Sequence, residues 1–260
     1  MKERTRSASR TEESVTQDSN VEEDLIMTLS GKVALVTGGT GALGSTIVKR
    51  LNAEGCTVFA TSHRDSKARL NSMAVPSKLR VIQADVTDEQ QVQSLFESIL
   101  DESAHIDIVI NTVGGYVPGK PLKEVTVRDW DLMMNINLRS AFLTTREAIR
   151  KMESQTYGRI INISAMAGLN PRPGRAPYTI SKAGVSLLTE IVAQEVKGTG
   201  ITVNAIAPSI ILTAANQESM PNEDTTNWVK PEQIVELILY LCSASAGAVT
   251  GTTIKAFGGV

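Results

Sequence analysis

The chain has 260 residues, of which 42% are hydrophobic and 21% charged, and its formal net charge is −2 with a pI near 5.8. A chain of this length can bury a large core, which excludes a wholly disordered protein. The small net charge provides no general attraction to nucleic acid or anionic lipid, and no apolar run approaches the roughly 20 residues that span a bilayer. Cys56 and Cys242 lack CxxC spacing, so neither a disulfide framework nor a metal site is predicted. We therefore expect a soluble, cytoplasmic protein that acts on a small molecule and has no nucleic-acid or membrane partner.

Residues 1–26 differ in composition from the rest of the chain. They are rich in Ser, Thr, Arg and Glu, and they show no apolar periodicity before Leu25 and Ile26. Such a segment cannot bury enough surface to offset the entropy of ordering, so a disordered N-terminal tail is predicted. Its acidic residues argue against a targeting peptide. The simplest hypothesis is that translation starts at Met27 and that residues 27–260 form one catalytic domain.

From Lys32 onward, short β-branched runs alternate with segments of helical periodicity, and no repeat or linker interrupts them. The predicted strands are Val33 to Thr37, Thr57 to Thr61, Leu79 to Ala84, Ile108 to Asn111, Arg159 to Ser164, Thr202 to Ala207 and Thr253 to Ala256. Strands joined by crossover helices pair in parallel with a right-handed connection. The predicted fold is therefore α/β, a single doubly wound Rossmann-type domain with a seven-stranded parallel sheet.

The first predicted strand leads directly into TGGTGALG, residues 37–44, and a helix follows. Glycines allow the backbone to turn sharply and to approach a pyrophosphate, whose charge is favoured by the exposed amides at the start of the helix. The strand before the turn and the helix after it are the context that this motif requires. The pattern predicts a dinucleotide-binding turn formed by Gly38, Thr40, Gly41, Leu43 and Gly44.

Further motifs follow this turn in a characteristic order. They are Asp85 after the third strand, Asn111 with Gly114 after the fourth, Asn137 in NINLRS, and Tyr178 with Lys182 in YTISK. With these motifs and the TGxxx(A/G)xG pattern, the chain resembles the short-chain dehydrogenase/reductase family from about Leu29 to Gly259.

The resemblance implies a nicotinamide dinucleotide cofactor and assigns further contacts to it. Asp85 and Val86 would meet the adenine, and the 111–114 segment would pass the ribose. The 208–213 segment would close on the nicotinamide. The side chains implicated in these two segments are Asn111, Val113, Gly114, Pro208, Ile211 and Thr213.

The end of the second strand bears on the choice between NAD(H) and NADP(H). An acidic side chain there would bond the ribose 2′-hydroxyl, whereas a basic side chain would accept a 2′-phosphate. The sequence reads TSHRD, with Ser62 at the position of the acid, followed by His63 and Arg64. We therefore predict that NADP(H) is favoured over NAD(H). The alternative is that Arg64 is a solvated loop charge.

Tyr178 and Lys182 are four residues apart, which places both side chains on one face of a helix. A tyrosine transfers protons poorly at neutral pH unless a nearby cation favours the phenolate. Lys182 is predicted to provide that charge. The resemblance implies that Lys182 also holds the ribose hydroxyls, and that Asn137 kinks its helix and binds a water that relays protons to the lysine.

The family's catalytic serine lies thirteen residues before the tyrosine, and this chain has Ala165 there. Ser164 precedes it, but neighbouring strand residues point to opposite faces. Losing such a donor costs roughly 10²- to 10³-fold in rate. Three explanations stay open. In the first, the protein acts on a carbonyl or alcohol, and Ser164, Thr179 or the substrate itself supplies the missing hydrogen bond. In the second, the substrate is an imine or quinonoid compound that develops little negative charge on oxygen. In the third, the protein binds NADP(H) as a regulator without turnover.

The second explanation draws on a partial likeness to quinonoid dihydropteridine reductases. It rests on GALGS at 41–45, on Gly114 and Gly115 followed by Tyr116, on the absent serine, and on SMPNEDTTNW at 219–228. Against it, that family carries an acid after the second strand and lacks the asparagine present here as Asn137.

The substrate pocket and the assembly are predicted only in outline. Met220, Trp228 and Tyr116 are candidate pocket walls, and Trp228 has the equal alternative of anchoring its loop to the body. The resemblance implies a homotetramer or homodimer, formed through the helices at Thr126 to Met152 and Tyr178 to Val196, whose apolar residues exceed what one sheet face needs.

Overall fold

The computed structural model describes residues 29–62 and 78–259, so the predictions for residues 1–26, Met27, His63 and Arg64 lie outside the described residues. Seven strands form one sheet in the order β3-β2-β1-β4-β5-β6-β7, with every pair parallel. The strands are β1 (Val33–Thr37), β2 (Thr57–Ser62), β3 (Leu79–Gln83), β4 (Ile108–Asn111), β5 (Gly158–Ile163), β6 (Ile201–Pro208) and β7 (Thr253–Ala256). The predicted doubly wound α/β fold with a seven-stranded parallel sheet is confirmed.

The central strands read as continuous apolar runs because both faces of the sheet are covered. Every residue of β1 (VALVT) and of β4 (IVIN) is buried. A parallel sheet between two helical layers buries both sides of each strand and so needs no polar alternation. Each predicted strand boundary lies within one residue of the observed boundary.

The helices form two layers, each with its own apolar core. They are α1 (Ala42–Ala53), α2 (Glu89–Ser103), α3 (Val127–Met133), α4 (Ser140–Met152), α5 (Met166–Leu169), α6 (Ala176–Glu195), α7 (Ala214–Ser219) and α8 (Pro231–Cys242). One core joins α1 and α8 to the sheet, and the other joins α2, α4 and α6 to its opposite face. No helix among the described residues has the length and apolar character needed to cross a bilayer.

The predicted helix over residues 126–152 is interrupted by a π-helical segment, Met134–Arg139, between α3 and α4. Thr126 caps the start of α3 by accepting a hydrogen bond from the backbone N–H of Asp129. A π-helical turn contains an extra residue, so side chains on its two sides change register. Asn137 lies within this segment and is buried, which places its amide against the loop that follows β4.

Candidate dinucleotide and catalytic site

The strand order reverses between β1 and β4, and the loops that follow these strands meet at the carboxyl edge of the sheet. Ligands of open α/β sheets bind in this crevice. The Gly38 backbone N–H donates to Thr61 Oγ1 at 2.9 Å, and the Thr112 N–H donates to Thr37 Oγ1 at 3.2 Å. These bonds fix the loops after β1 and β4 to the strand ends beside them.

The glycine turn has the close backbone contacts that a pyrophosphate site requires. Gly38 has a φ of +65°, a conformation that L side chains rarely adopt. A Cβ on Gly44 would collide with the Gly38 carbonyl, so the start of α1 packs directly on the turn. Gly41, the N-cap of α1, has no side chain to accept hydrogen bonds from the first-turn amides. These features fit an anionic ligand at the start of the helix.

Asn137 joins the loop after β4 to helix α6. Its Oδ1 accepts from the Gly115 N–H at 2.9 Å, and its Nδ2 donates to the Gly115 carbonyl at 3.1 Å. The same Nδ2 donates to Ser181 Oγ at 3.1 Å. The side-chain amide therefore holds the backbone of Gly115 through both its donor and its acceptor, which fixes the position of the next residue, Tyr116.

Lys182 is buried beside the same loop. Its Nζ donates to the carbonyl of Ile163, at the end of β5, at 2.9 Å. A Cβ on Gly114 would lie 3.0 Å from this Nζ and 2.8 Å from Asn137 Oδ1, so the loop passes over both groups only because residue 114 is a glycine. Burial lowers the pKa of Lys182 from 10.5 to about 8.

Tyr178 lies one helical turn before Lys182 on α6, as the spacing predicted. Its ring meets that of Tyr116 edge to face, with centroids 5.1 Å apart and planes at 85°. Burial raises the pKa of Tyr178 above its ordinary value, the neighbouring Tyr116 adds to this, and the positive charge of Arg175 opposes it. A shallow, open cavity adjoins Tyr178 and is bordered by the 117–120 loop and by Arg175.

The structure places the three residues relevant to the missing serine. Ala165 is buried at the N-cap of α5. Ser164 Oγ is directed at α6, where it bonds the Lys182 carbonyl at 2.8 Å and Ser186 Oγ at 2.9 Å. Thr179 Oγ1 is buried out of contact with solvent and has no partner among the described residues. Neither Ser164 nor Thr179 presents its hydroxyl to the open site in this arrangement.

The other predicted contacts lie around the same edge, though several side chains are already engaged. Asp85 Oδ1 accepts from the N–H and the hydroxyl of Thr87, and Val86 is buried in the core. Asn111 is buried, and its side-chain amide is bonded to Thr144, Thr145 and Asn162.

The 208–213 segment follows β6 on the other side of the crevice. Pro208 ends β6, Ile211 pairs with Val229, and Thr213 caps α7 through Asn216. Trp228 is only 5% exposed, so it anchors its loop to the body.

Sequence reasoning missed the hydroxyl groups that support these residues. Ser181 binds Asn137, and Thr37 and Thr61 fix the loops. The signal for Ser181 was its place in YTISK, one helical turn after Tyr178 on the face of α6 that meets the interrupted helix. The threonines end two buried strands, where a polar residue marks the start of the crevice.

Comparison with known proteins gives the family. The model of the short chain dehydrogenase family matches residues 32–224. The chain belongs to the short-chain dehydrogenase/reductase family. The chain is 31% identical over 244 residues to the 3-oxoacyl-(acyl-carrier-protein) reductase FabG of Aquifex aeolicus, and the match covers 89% of the chain and 98% of the relative. It is 32% identical over 244 residues to the acetoacetyl-CoA reductase of Allochromatium vinosum, with 88% and 98% covered.

Solved structures agree with this assignment. The structure of ElxO with NADP bound superposes on this protein with a TM-score of 0.84 at 26% identity, over 88% of this chain and 98% of that one. The predicted family is confirmed, and the general class of the protein is that of the NAD(P)-dependent oxidoreductases.

Proposed function

We propose that the protein transfers hydride between NADP(H) and a small carbonyl or alcohol substrate, with Tyr178 as the proton donor and acceptor. The observation that carries the proposal is the pair formed by Tyr178 and Lys182 on one face of α6. Tyr178 borders the open cavity, and the ammonium of Lys182 is buried beneath Gly114. A proton source beside a cavity and a fixed cation behind it are what carbonyl reduction requires.

Lys182 would have two roles. Its ammonium carries three N–H donors, and one of them is used by the Ile163 carbonyl. The others are available to the ribose hydroxyls of the dinucleotide. With a pKa of about 8, the ammonium remains mostly charged at neutral pH. Its charge would favour the phenolate of Tyr178 once the proton has moved to the substrate.

Tyr178 would deliver its proton to the substrate oxygen. The bound nicotinamide supplies the hydride in reduction and accepts it in oxidation. Burial and Tyr116 hold the pKa of Tyr178 high, so the phenol carries its proton at neutral pH, and its transfer would depend on the positive charge of Lys182 to favour the phenolate. Asn137, which lies beside Gly114 as Lys182 does, would fix the loop and complete a proton relay toward Lys182.

The preference for NADP(H) rests on Arg64 and on the presence of Ser62 where an acid would favour NAD(H). A guanidinium can bond a 2′-phosphate through two parallel donors, which a 2′-hydroxyl cannot use. The solved structure of ElxO has NADP bound, which is in keeping with this choice. Replacement of Arg64 by Gln should weaken NADPH binding while NADH binding is retained.

The test is turnover of NADPH, followed by its absorbance, with acetoacetyl-CoA and small diketones as probes. Tyr178→Phe should reduce turnover by about 10²- to 10⁴-fold, because the phenyl ring has no proton to give. NADPH affinity, measured by fluorescence, should change little. Tyr240→Phe is the matched control, since Tyr240 lies exposed on α8. Unchanged turnover in Tyr178→Phe would refute the assignment.

An imine or quinonoid substrate is the second candidate. It is favoured by the placement of Ser164 and Thr179, whose hydroxyls do not face the open site. Such a substrate develops little negative charge on oxygen and has less need of a hydroxyl donor. Quinonoid dihydropterin should then be reduced faster than any ketone probe. Tight NADPH binding with no turnover of either class would instead support a non-catalytic regulator.

We also propose a homotetramer as the assembled form, or failing that a homodimer. Val185 and Val192 face the core, whereas Ile180, Leu187 and Ile191 leave a stripe along α6 that is 44–57% exposed. An apolar stripe of this kind favours association with a second copy. Light scattering that reports a particle of 27.9 kDa would contradict this proposal.

A further inference from the structure

Carbonyl reduction needs a second hydrogen-bond donor at the substrate oxygen. If Tyr178 acts as proposed above, on which this inference rests, negative charge develops on that oxygen as hydride arrives. A single donor aimed at such a charge is worth roughly 10²- to 10³-fold in rate. The family supplies it from the serine that Ala165 replaces here.

The hydroxyls next to Ala165 in sequence and space are engaged or enclosed. Ser164 is buried and bonded to the Lys182 carbonyl and to Ser186. Thr179 Oγ1 is enclosed in the protein. Using either one would require its side chain to leave the position that it has in this structure.

Tyr116 provides a third hydroxyl, and the ring of Tyr116 lies against the ring of Tyr178. The two rings form an edge-to-face pair with centroids 5.1 Å apart, and Tyr116 is 51% exposed. The paired hydrogen bonds between Asn137 and the Gly115 backbone fix the residue directly before it. The backbone before Tyr116 is therefore fixed by Asn137, and the ring of Tyr116 is placed beside the proton donor by the edge-to-face contact.

The Tyr116 hydroxyl also has its proton free to donate. The N–H of Gly119 donates to the Tyr116 oxygen at 3.2 Å, so that oxygen acts as an acceptor within the loop. Among the described residues, the structure gives the O–H of Tyr116 no acceptor. An accepted hydrogen bond polarises a hydroxyl and strengthens the bond that it donates in turn.

We propose that the Tyr116 hydroxyl donates the hydrogen bond to the substrate carbonyl oxygen that the family obtains from serine. The carbonyl carbon receives hydride from the reduced dinucleotide, and the oxygen takes its proton from Tyr178. Tyr116 keeps its own proton throughout, so the products are the alcohol, the oxidised dinucleotide and the Tyr178 phenolate, which is then reprotonated from solvent. The substrate oxygen thereby receives hydrogen bonds from two neighbouring phenols whose rings are in contact.

The test is Tyr116→Phe, which keeps the aromatic ring and removes the hydroxyl together with the hydrogen bond that it accepts from the Gly119 N–H. Turnover of acetoacetyl-CoA with NADPH should fall by about 10²-fold. Adding Ala165→Ser to this variant should restore at least tenfold of the loss, whereas Ala165→Ser alone should change turnover by less than about threefold. Tyr240→Phe serves as the control for removal of a remote exposed hydroxyl.

A binding measurement provides a readout that does not depend on turnover. In Tyr178→Phe protein saturated with NADPH, acetoacetyl-CoA should quench the dinucleotide fluorescence, and adding Tyr116→Phe should weaken its binding by about two- to tenfold. NADPH affinity should remain unchanged in both variants.

The outcomes separate this inference from the proposed function. Unchanged turnover in Tyr116→Phe, together with loss in Tyr178→Phe, overturns the role of Tyr116 and leaves the proposed function in place. If Ala165→Ser does not restore the turnover lost in Tyr116→Phe, Tyr116 has a packing role, and this result also overturns the inference. Turnover that survives Tyr178→Phe overturns both.

Discussion

Replacement of Lys182 by methionine should make the protein more stable at neutral pH while abolishing its activity. Lys182 is 5% exposed, and burial lowers its pKa from 10.5 to about 8. At pH 7 the ammonium is charged in both the folded and the unfolded chain, so folding carries the full cost of burying it, about 3 kcal/mol. Methionine fills a similar volume without a charge, but the Ile163 carbonyl loses its partner, which costs about 1 kcal/mol. The expected net gain is about 2 kcal/mol.

The pH dependence of this stability difference identifies the burial of the Lys182 ammonium as its cause. Between pH 8 and pH 10.5 the folded protein releases the Lys182 proton while the unfolded chain retains it, so the wild type becomes more stable as pH rises. Lys182→Met lacks this term, and its advantage should shrink by about 2 kcal/mol between neutral pH and about pH 9.5.

Urea denaturation of both proteins at matched concentration, at the two pH values, measures the effect. In thermal unfolding at neutral pH, the melting temperature of Lys182→Met should be higher than that of the wild type by about 4 to 8 °C. Lys123→Met is the control, because Lys123 is exposed on the turn before α3 and its replacement should not alter stability. A Lys182→Met protein that is less stable than the wild type, or a difference that does not vary with pH, would refute the reasoning.

Two further substitutions test the loop after β4 and the end of β5. Gly114→Ala would place a methyl group 3.0 Å from Lys182 Nζ and should weaken NADPH binding about tenfold, by fluorescence titration. In Gly115→Ala the new contacts are ordinary, at 3.4 Å or more, so affinity should be retained, and equal effects of the two changes would contradict this account. Ser164→Ala breaks the hydrogen bond to Ser186 and should lower the free energy of unfolding by about 1 to 2 kcal/mol, with turnover within about twofold of the wild type. A 10²-fold loss of turnover in Ser164→Ala would instead identify this serine as the missing donor.

The strands and the glycine turn were predictable because their signals are local. A run such as VALVT is apolar throughout, and its burial on both faces follows from the parallel sheet that the alternating helices impose. The close approach of Gly44 to Gly38 follows from the motif in its strand-turn-helix context. The spacing of Tyr178 and Lys182 fixed their common face because the α-helix has a constant period.

The helix at 126–152 shows where local reasoning failed. Its apolar pattern is helical throughout, and periodicity does not reveal the inserted residue of the π-helical segment around Asn137. The directions of the Ser164 and Thr179 hydroxyls were also left open, since they depend on how the end of β5 packs against α6.

The amino-acid sequence alone determined the α/β fold, the order of the motifs and the loss of a serine at Ala165, because each depends on residue type and spacing along one segment. Only the tertiary structure decided which side chains surround Tyr178. Tyr116 and Asn137 come from segments separated from α6 by more than a strand, and their contacts arise because β4 and β5 are neighbours in the sheet. Contacts between distant segments depend on how whole elements pack, and a single sequence contains no local signal for them.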